Sequence, residues 1–98
     1  MPSLFRTTQA HRDLLEIWVY LAENSFETAD RILDSIDRTC RMLADNPGAG
    51  RSREELAPGI RSFPSGKYIV YYRPTEEGIV VLRVVRGERD TPTLFPSL

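Results

Sequence analysis

The side chains best suited to recognition chemistry in this chain are arginines, which gather beside aromatic residues in its last third. Arg83 lies inside an apolar run, Arg86 and Arg89 follow it around Gly87, and Phe95 lies in the tail. Arginine presents a planar set of N–H donors that fits carboxylates and phosphates, and buried aromatic rings anchor interfaces. The segment therefore predicts a surface that binds an anionic partner.

Cleavage of RNA through the ribose 2′-hydroxyl needs a general base, a general acid and cations near the phosphate. The single histidine, His11, lies far along the chain from the arginines, and Lys67 is the single lysine. Glu88 can act as a base, but no acid partner accompanies it. We therefore predict no catalytic residues and favour binding over hydrolysis.

Other enzyme and metal chemistries also lack the residues they need. Cys40 is the one cysteine and lies on an apolar helical seam, where a small core side chain is expected. One cysteine and one histidine are too few ligands for a metal site. Gly48-Ala49-Gly50 lacks the following lysine and hydroxyl residue of a phosphate-binding loop. No metal and no cofactor are predicted.

The composition is that of one folded domain spanning residues 1–98, with 41% hydrophobic and 28% charged residues. No apolar run approaches the ~20 residues that cross a bilayer. The N-terminus has no apolar signal core and a lone cysteine fits a reducing compartment. We therefore expect a cytoplasmic protein with no membrane partner.

The net charge of −1 hides an asymmetry between the two parts of the chain. Residues 1–58 carry seven arginines against ten acidic residues, net −3, whereas residues 59–98 carry five arginines and Lys67 against four acidic residues, net +2. A basic face on the C-terminal part favours an acidic partner. The overall charge does not predict direct DNA binding.

Two amphipathic helices are predicted in the first half. The first runs from about Thr8 to Asn24 behind a threonine cap, and Ser25 caps the second. The second ends before the run Asn46–Gly50, and its apolar residues step by four and three, namely Ala29, Leu33, Ile36, Cys40 and Leu43. The short break between the helices predicts an antiparallel hairpin.

Strand patterns flank the helices. Ser3–Thr7 predicts a short N-terminal strand, and an antiparallel sheet is predicted after a loop over residues 51–59. In the last strand we assign Val80, Leu82 and Val84 to the side covered by the helices. Arg83 then lies on the opposite side, where we expect it to pair with a carboxylate such as Asp90. The class is α+β, closed by a short C-terminal tail.

Six segments, in this order along nearly the whole chain, resemble the ParE branch of the ParE/RelE toxin superfamily. They are Asp13-Leu14-x-Glu16-Ile17-Trp18-x-Tyr20, Ala29-Asp30, Leu43-Ala44-x-Asn46-Pro47-x-x-Gly50, Leu56-x-x-Gly59-Ile60-Arg61-Ser62, Gly66-x-Tyr68-x-Val70-x-Tyr72-Arg73 and Arg83-Val84-Val85-Arg86-Gly87-x-Arg89-Asp90. The resemblance implies a RelE/ParE-like fold and the toxin half of a type II toxin–antitoxin module, of the kind linked to plasmid stabilisation.

The ParE branch implies that the toxin poisons DNA gyrase and blocks replication, and the RelE branch implies cleavage of messenger RNA on the ribosome. In RelE-like nucleases basic residues cross the sheet and a tyrosine or histidine lies near the C-terminus. Here Arg89 occupies a position where such enzymes have a cation. Tyr68 occupies the strand position where they have an arginine, and Phe95 occupies the position of their tyrosine near the C-terminus. A phenyl ring cannot relay a proton. The alternatives to gyrase poisoning are the RelE-type nuclease and an inactive member that only binds its antitoxin.

Two binding surfaces are expected. For gyrase we expect a cation-and-aromatic surface made of Arg83, Arg86, Arg89 and Phe95. The resemblance also implies a ParD-like antitoxin whose disordered segment folds on the toxin to form a hetero-oligomer. For this contact we expect the second apolar flank of the first helix, made of Leu15, Trp18, Val19 and Ala22. Contact with DNA is expected only through the antitoxin or gyrase.

Overall fold

The computed structural model describes residues 2–87, in which a two-helix hairpin packs on one face of a five-stranded sheet. The elements are β1 (Ser3–Arg6), α1 (Thr8–Ala22), α2 (Phe26–Asp45), β2 (Arg51–Ser52), β3 (Arg61–Ser65), β4 (Tyr68–Pro74) and β5 (Gly78–Arg86). Neither helix within this range is long and apolar enough to cross a membrane. The predicted α+β fold, with its N-terminal strand and its helical hairpin, is confirmed.

The helix starts follow the predicted caps. The Thr7 hydroxyl accepts the Ala10 amide at 3.0 Å, and the Ser25 hydroxyl accepts the Thr28 amide at 3.1 Å. Each cap satisfies an amide that the first turn leaves without a helical partner, which stabilises a helix by about 1 kcal/mol. The first helix ends at Ala22, two residues before the predicted limit.

The sheet has the strand order β1-β5-β4-β3-β2 and is mixed. The strands β3, β4 and β5 pair antiparallel as predicted, and β2 adds to β3 in the same sense. By contrast, β1 pairs parallel to β5. The chain leaves β1 through both helices before it returns, and only such a long connection permits parallel pairing. The two-residue strand β2 lies inside the predicted loop, and it is too short for an alternating pattern to reveal it.

A β-bulge divides β5. Tyr71 pairs with Arg83 but Tyr72 pairs with Val81, so Leu82 is the extra residue. Ile79 and Val81 before the bulge and Val84 after it all pack in the helix-facing core, while Leu82 packs in a second cluster with Tyr71 and Val85. The predicted side is therefore right for Val84 and wrong for Val80 and Leu82, because one extra residue reverses the alternation.

The main core lies between the hairpin and the sheet, and Cys40 is 1% exposed within it. Burial raises the pKa of the Cys40 thiol from about 9 to about 11, against an opposing effect of Arg6. The prediction that Cys40 is a core residue is confirmed. Among residues 2–87 the one buried carboxylate is that of Asp13, which is 4% exposed on α1.

Candidate functional site

An apolar flank lies on the outer side of α1, away from the sheet. Leu15 and Val19 are one helical turn apart and remain 63% and 50% exposed. Ala22 follows one turn later and is half-buried. Since these side chains project from a helix whose opposite stripe fills the core, the second apolar flank predicted from the sequence is present and exposed.

A pair of aromatic rings extends this flank toward the second helix. Trp18 stacks on Phe26, with ring centroids 5.7 Å apart and planes inclined by 10°, and its indole N–H donates to Asp30 Oδ1 at 2.9 Å. Phe26 is 67% exposed and was not predicted as part of this flank, because it lies directly after the helix cap Ser25 and outside the apolar spacing of the first helix. These residues together form the hairpin patch, which consists of Leu15, Trp18, Val19, Ala22 and Phe26.

On the other side of α1, Asp13 forms a bidentate ion pair with Arg83. Arg83 Nε donates to Asp13 Oδ2 at 2.8 Å and Arg83 Nη2 donates to Oδ1 at 3.1 Å. The same carboxylate accepts the backbone N–H of Val84 at 2.9 Å and the amide of Gln9 at 3.1 Å. The expectation that Arg83 pairs with a carboxylate is confirmed, and its partner among the described residues is Asp13 on the first helix, while Asp90 lies outside them. The expectation that Arg83 lies on the side opposite the helices is wrong, because its guanidinium group contacts α1.

A groove of about 680 Å³ opens between α1 and the end of β5, with the Asp13–Arg83 pair among its lining residues. Tyr20 and Arg86 line it too and are exposed, whereas Tyr68 is buried at 6% exposure. A second cavity of about 400 Å³, lined by Lys67, Ser65 and Ile32 among others, shares Tyr20, Tyr68 and Arg86 with the first. The first of these cavities is the arginine groove, and its polar and aromatic lining includes Glu16, Tyr20, Tyr68, Arg83 and Arg86.

The arginine groove combines guanidinium donors with phenol rings, a combination suited to carboxylate or phosphate recognition. Tyr68 belongs to the core cluster with Val70 and Val84. His11 is exposed on the first turn of α1. Within residues 2–87 no three His, Cys, Asp or Glu side chains are placed to hold a metal ion.

The family model described as the ParE toxin of the type II toxin–antitoxin system parDE matches residues 4–91. The chain belongs to the ParE toxin family. The match runs from β1 through β5 and so includes both the hairpin patch and Arg83 and Arg86 of the groove.

Curated ParE toxins resemble the chain over most of its length. Toxin ParE3 of Caulobacter vibrioides is 32% identical over 88 residues, which are 89% of this chain and 88% of the relative. Toxin ParE1 of Mycobacterium tuberculosis is 33% identical over 84 residues, which are 84% of each chain. These shares show that the toxin domain is matched nearly end to end.

Solved structures agree with this assignment. A chain of the chromosomal ParDE system from P. aeruginosa superposes with a TM-score of 0.74 at 30% identity, covering 90% of this chain and 98% of that one. A chain of the toxin–antitoxin complex RelBE2 from Mycobacterium tuberculosis gives 0.65 at 30% identity, covering 88% and 99%. The ParE/RelE-like fold of the toxin is thus confirmed, and both structures come from toxin–antitoxin systems.

The toxin fold brings some of the predicted site residues together and separates others. Arg83 and Arg86 line one groove, whereas Arg89 and Phe95 lie outside the described residues. Asp13 was missed as a site residue because its partners lie about 70 positions away in the sequence. The available signal was that Asp13 begins the first of the six segments that resemble the ParE branch.

Proposed function

We propose that this ParE-family toxin inhibits DNA gyrase by trapping the enzyme on cut DNA, and that a ParD-like antitoxin neutralises it in the cytoplasm. Membership of the family and the similarity to a chromosomal ParDE toxin support the proposal. The toxin needs no cofactor for this action, because it acts by binding. Its contact with DNA is indirect, through gyrase or through the antitoxin.

The observation that carries the gyrase proposal is the exposure of Arg86 at the end of β5, in the same groove as Arg83 and Tyr20. Exposed guanidinium groups beside an aromatic ring are the side chains that most often dominate binding to a partner's carboxylates. In the sequence Arg89 and Phe95 follow Arg86 by three and nine residues. The proposed target surface is therefore Arg83, Arg86, Arg89 and Phe95.

The hairpin patch is the proposed antitoxin surface. Leu15, Val19 and Phe26 are each at least half exposed, and a contiguous apolar surface of this kind marks an interaction site. A disordered segment that folds into an amphipathic helix can cover such a patch with its own apolar side chains. The toxin and its antitoxin then form a hetero-oligomer in which the patch is buried.

A supercoiling assay with purified toxin, gyrase, ATP and relaxed plasmid tests the gyrase proposal. We expect loss of supercoiling together with linear plasmid released after protein denaturation. A folded variant with alanine at Arg86, Arg89 and Phe95 is expected to lose both effects, and Arg38→Ala on the exposed face of α2 serves as the matched control. Normal supercoiling with excess wild-type toxin would refute the proposal.

The similarity to the RelBE2 complex favours a second candidate, a ribosome-dependent mRNA endonuclease. Adding the toxin to a translation extract and mapping transcript ends separates the two, since only the nuclease cuts messenger RNA there. Expression in cells without antitoxin adds a further comparison. Growth arrest is expected from either toxin, and normal growth would identify a member that only binds its antitoxin.

A further inference from the structure

Beyond the end of β1, the Asp13 carboxylate accepts a backbone N–H of β5 that has no neighbouring strand on that side within residues 2–87. On its outer edge β5 pairs with β1 only as far as Val81, which lies opposite Arg6. Thr7 continues the contact by donating its amide to the Val81 carbonyl and its hydroxyl to the Leu82 carbonyl. Beyond that point the chain has turned into α1, and the Val84 N–H is bound by Asp13 at 2.9 Å.

These contacts bracket the β-bulge at Leu82. Thr7 binds the carbonyls of Val81 and Leu82, and Asp13 binds the amide of Val84 and the side chain of Arg83. A bulge fixes which side each later residue of the strand faces, because one residue more or less reverses the alternation. The orientation of Arg86, two residues past Val84, depends on this bulge.

Stability alone is a weak reason for a buried ion pair. Removing two charges from water costs about as much as their attraction returns, and well-packed apolar replacements are often neutral or stabilising. Fixing a register is the best-attested use of such a pair. Asp13 suits that use, since it is 4% exposed and accepts four hydrogen bonds from three residues on two elements.

We infer that Asp13 is a positioning residue for the target-binding cations of the toxin: its carboxylate fixes Arg83 and the bulged end of β5, and thereby sets where Arg86 is presented. Asp13 is too buried to meet a macromolecular target itself. The functional part of this inference rests on the proposed gyrase inhibition. The structural part, the path of β5 beyond Leu82, stands apart from it.

Asp13→Asn tests the functional part, because it keeps the shape of the side chain and removes the charge that binds Arg83. The toxin concentration that half-inhibits gyrase is expected to rise at least tenfold, while the dissociation constant for the antitoxin changes less than threefold. The matched control is Asp37→Asn, which breaks another partly buried carboxylate bridge, between Arg6 and Arg41, and should leave gyrase inhibition within twofold. Equal losses in both assays, or no loss, would overturn the inference.

A crystal structure of the double variant Asp13→Leu with Arg83→Met tests the structural part without any reference to gyrase. Apolar side chains of similar length keep the packing and remove the ion pair. We expect the residues beyond Leu82 to shift register or direction, moving Arg86 away from the groove. An unchanged bulge with Arg86 in place would overturn the inference, even if the wild type inhibits gyrase. A wild type that leaves gyrase unaffected would refute the proposed function alone.

Discussion

The hairpin patch and the arginine groove lie on two sides of the same helix, and they are built from different chemistry. The patch is apolar: Leu15, Val19 and Phe26 are exposed, and Phe26 stacks on the ring of Trp18. The groove presents charge: Arg83 is held by buried Asp13, and Arg86 stands at its exposed end. An exposed apolar patch marks an interaction site, whereas positioned charge contributes mainly specificity and a fast association rate.

This difference teaches that one small domain can keep its inhibitor and its target on separate surfaces. The apolar surface needs only a helix to carry it, because burial energy is non-directional. The polar surface needs a fixed frame, because a bidentate guanidinium contact depends on angle as well as distance. The bulge in β5 and the Asp13 carboxylate supply that frame.

The largest expected effect comes from placing a charge in the hairpin patch. Val19→Asp should weaken antitoxin binding about 100-fold, because a carboxylate buried without a partner costs several kcal/mol. Gyrase inhibition should stay within twofold. The dissociation constant by calorimetry with the product of the adjacent small open reading frame is the measurement. Ala49→Asp, which adds the same charge at an exposed residue of the loop after α2, is the control. An unchanged affinity for Val19→Asp would move the antitoxin site elsewhere.

The complementary experiment inverts the sign of one charge in the arginine groove. Arg86→Glu should raise the half-inhibitory concentration for gyrase about tenfold, which corresponds to about 1.4 kcal/mol, and leave antitoxin affinity within threefold. Arg38→Glu makes the same change on the exposed face of α2. If Arg38→Glu weakens inhibition equally, net charge and not the groove is responsible, and the distinction between the surfaces fails on this side.

A change at Cys40 in the core should alter the stability of the whole domain and neither binding surface in particular. The pKa of the Cys40 thiol is about 11 in the folded toxin and about 9 when unfolded. The unfolded chain therefore releases its proton first, so this contribution to stability is complete below pH 9 and is lost as the pH rises toward 11. Urea unfolding of wild type and Cys40→Ala at pH 8 and pH 11 measures it. The wild type should lose about 1–2 kcal/mol more than the variant between these pH values. Equal losses would show that the thiol titrates normally in the fold.

The smallest effect on stability is expected at the edge of the patch. Phe26→Ala removes one ring of the stack and should lower the free energy of unfolding by less than about 1 kcal/mol, because the ring is 67% exposed. Antitoxin affinity should nevertheless fall about fivefold. The control is Phe5→Ala, a ring that is 64% exposed on β1 and should leave the affinity unchanged. A larger effect of Phe5→Ala would extend the antitoxin contact to the sheet.

The sequence predicted correctly the features that depend on residues close to each other along the chain. Thr7 and Ser25 cap the two helices as expected, and the four-three spacing through Cys40 placed that residue in the core. The exposed flank at Leu15 and Val19 also followed from helical spacing. Each of these features depends on residues within one or two turns of each other, where propensity and periodicity decide the outcome.

The features that escaped prediction depend on contacts between distant segments. The bulge at Leu82 interrupts an otherwise regular apolar alternation, and its position depends on pairing with β4 and on contacts with α1 that the sequence of β5 does not contain. The expected partner of Arg83, Asp90, lies outside the described residues, and the carboxylate that binds Arg83 within them is Asp13. The family segments contained Asp13 and Arg83, but sequence spacing alone could not join them across 70 residues.

Binding of the purified toxin to intact gyrase is the most direct test of two separate surfaces. The affinity is measured for wild type, Val19→Asp and Arg86→Glu side by side. We expect a saturable complex whose dissociation constant stays within twofold in Val19→Asp and rises about tenfold in Arg86→Glu. Absence of a complex with the wild type, or equal weakening by both variants, would contradict it.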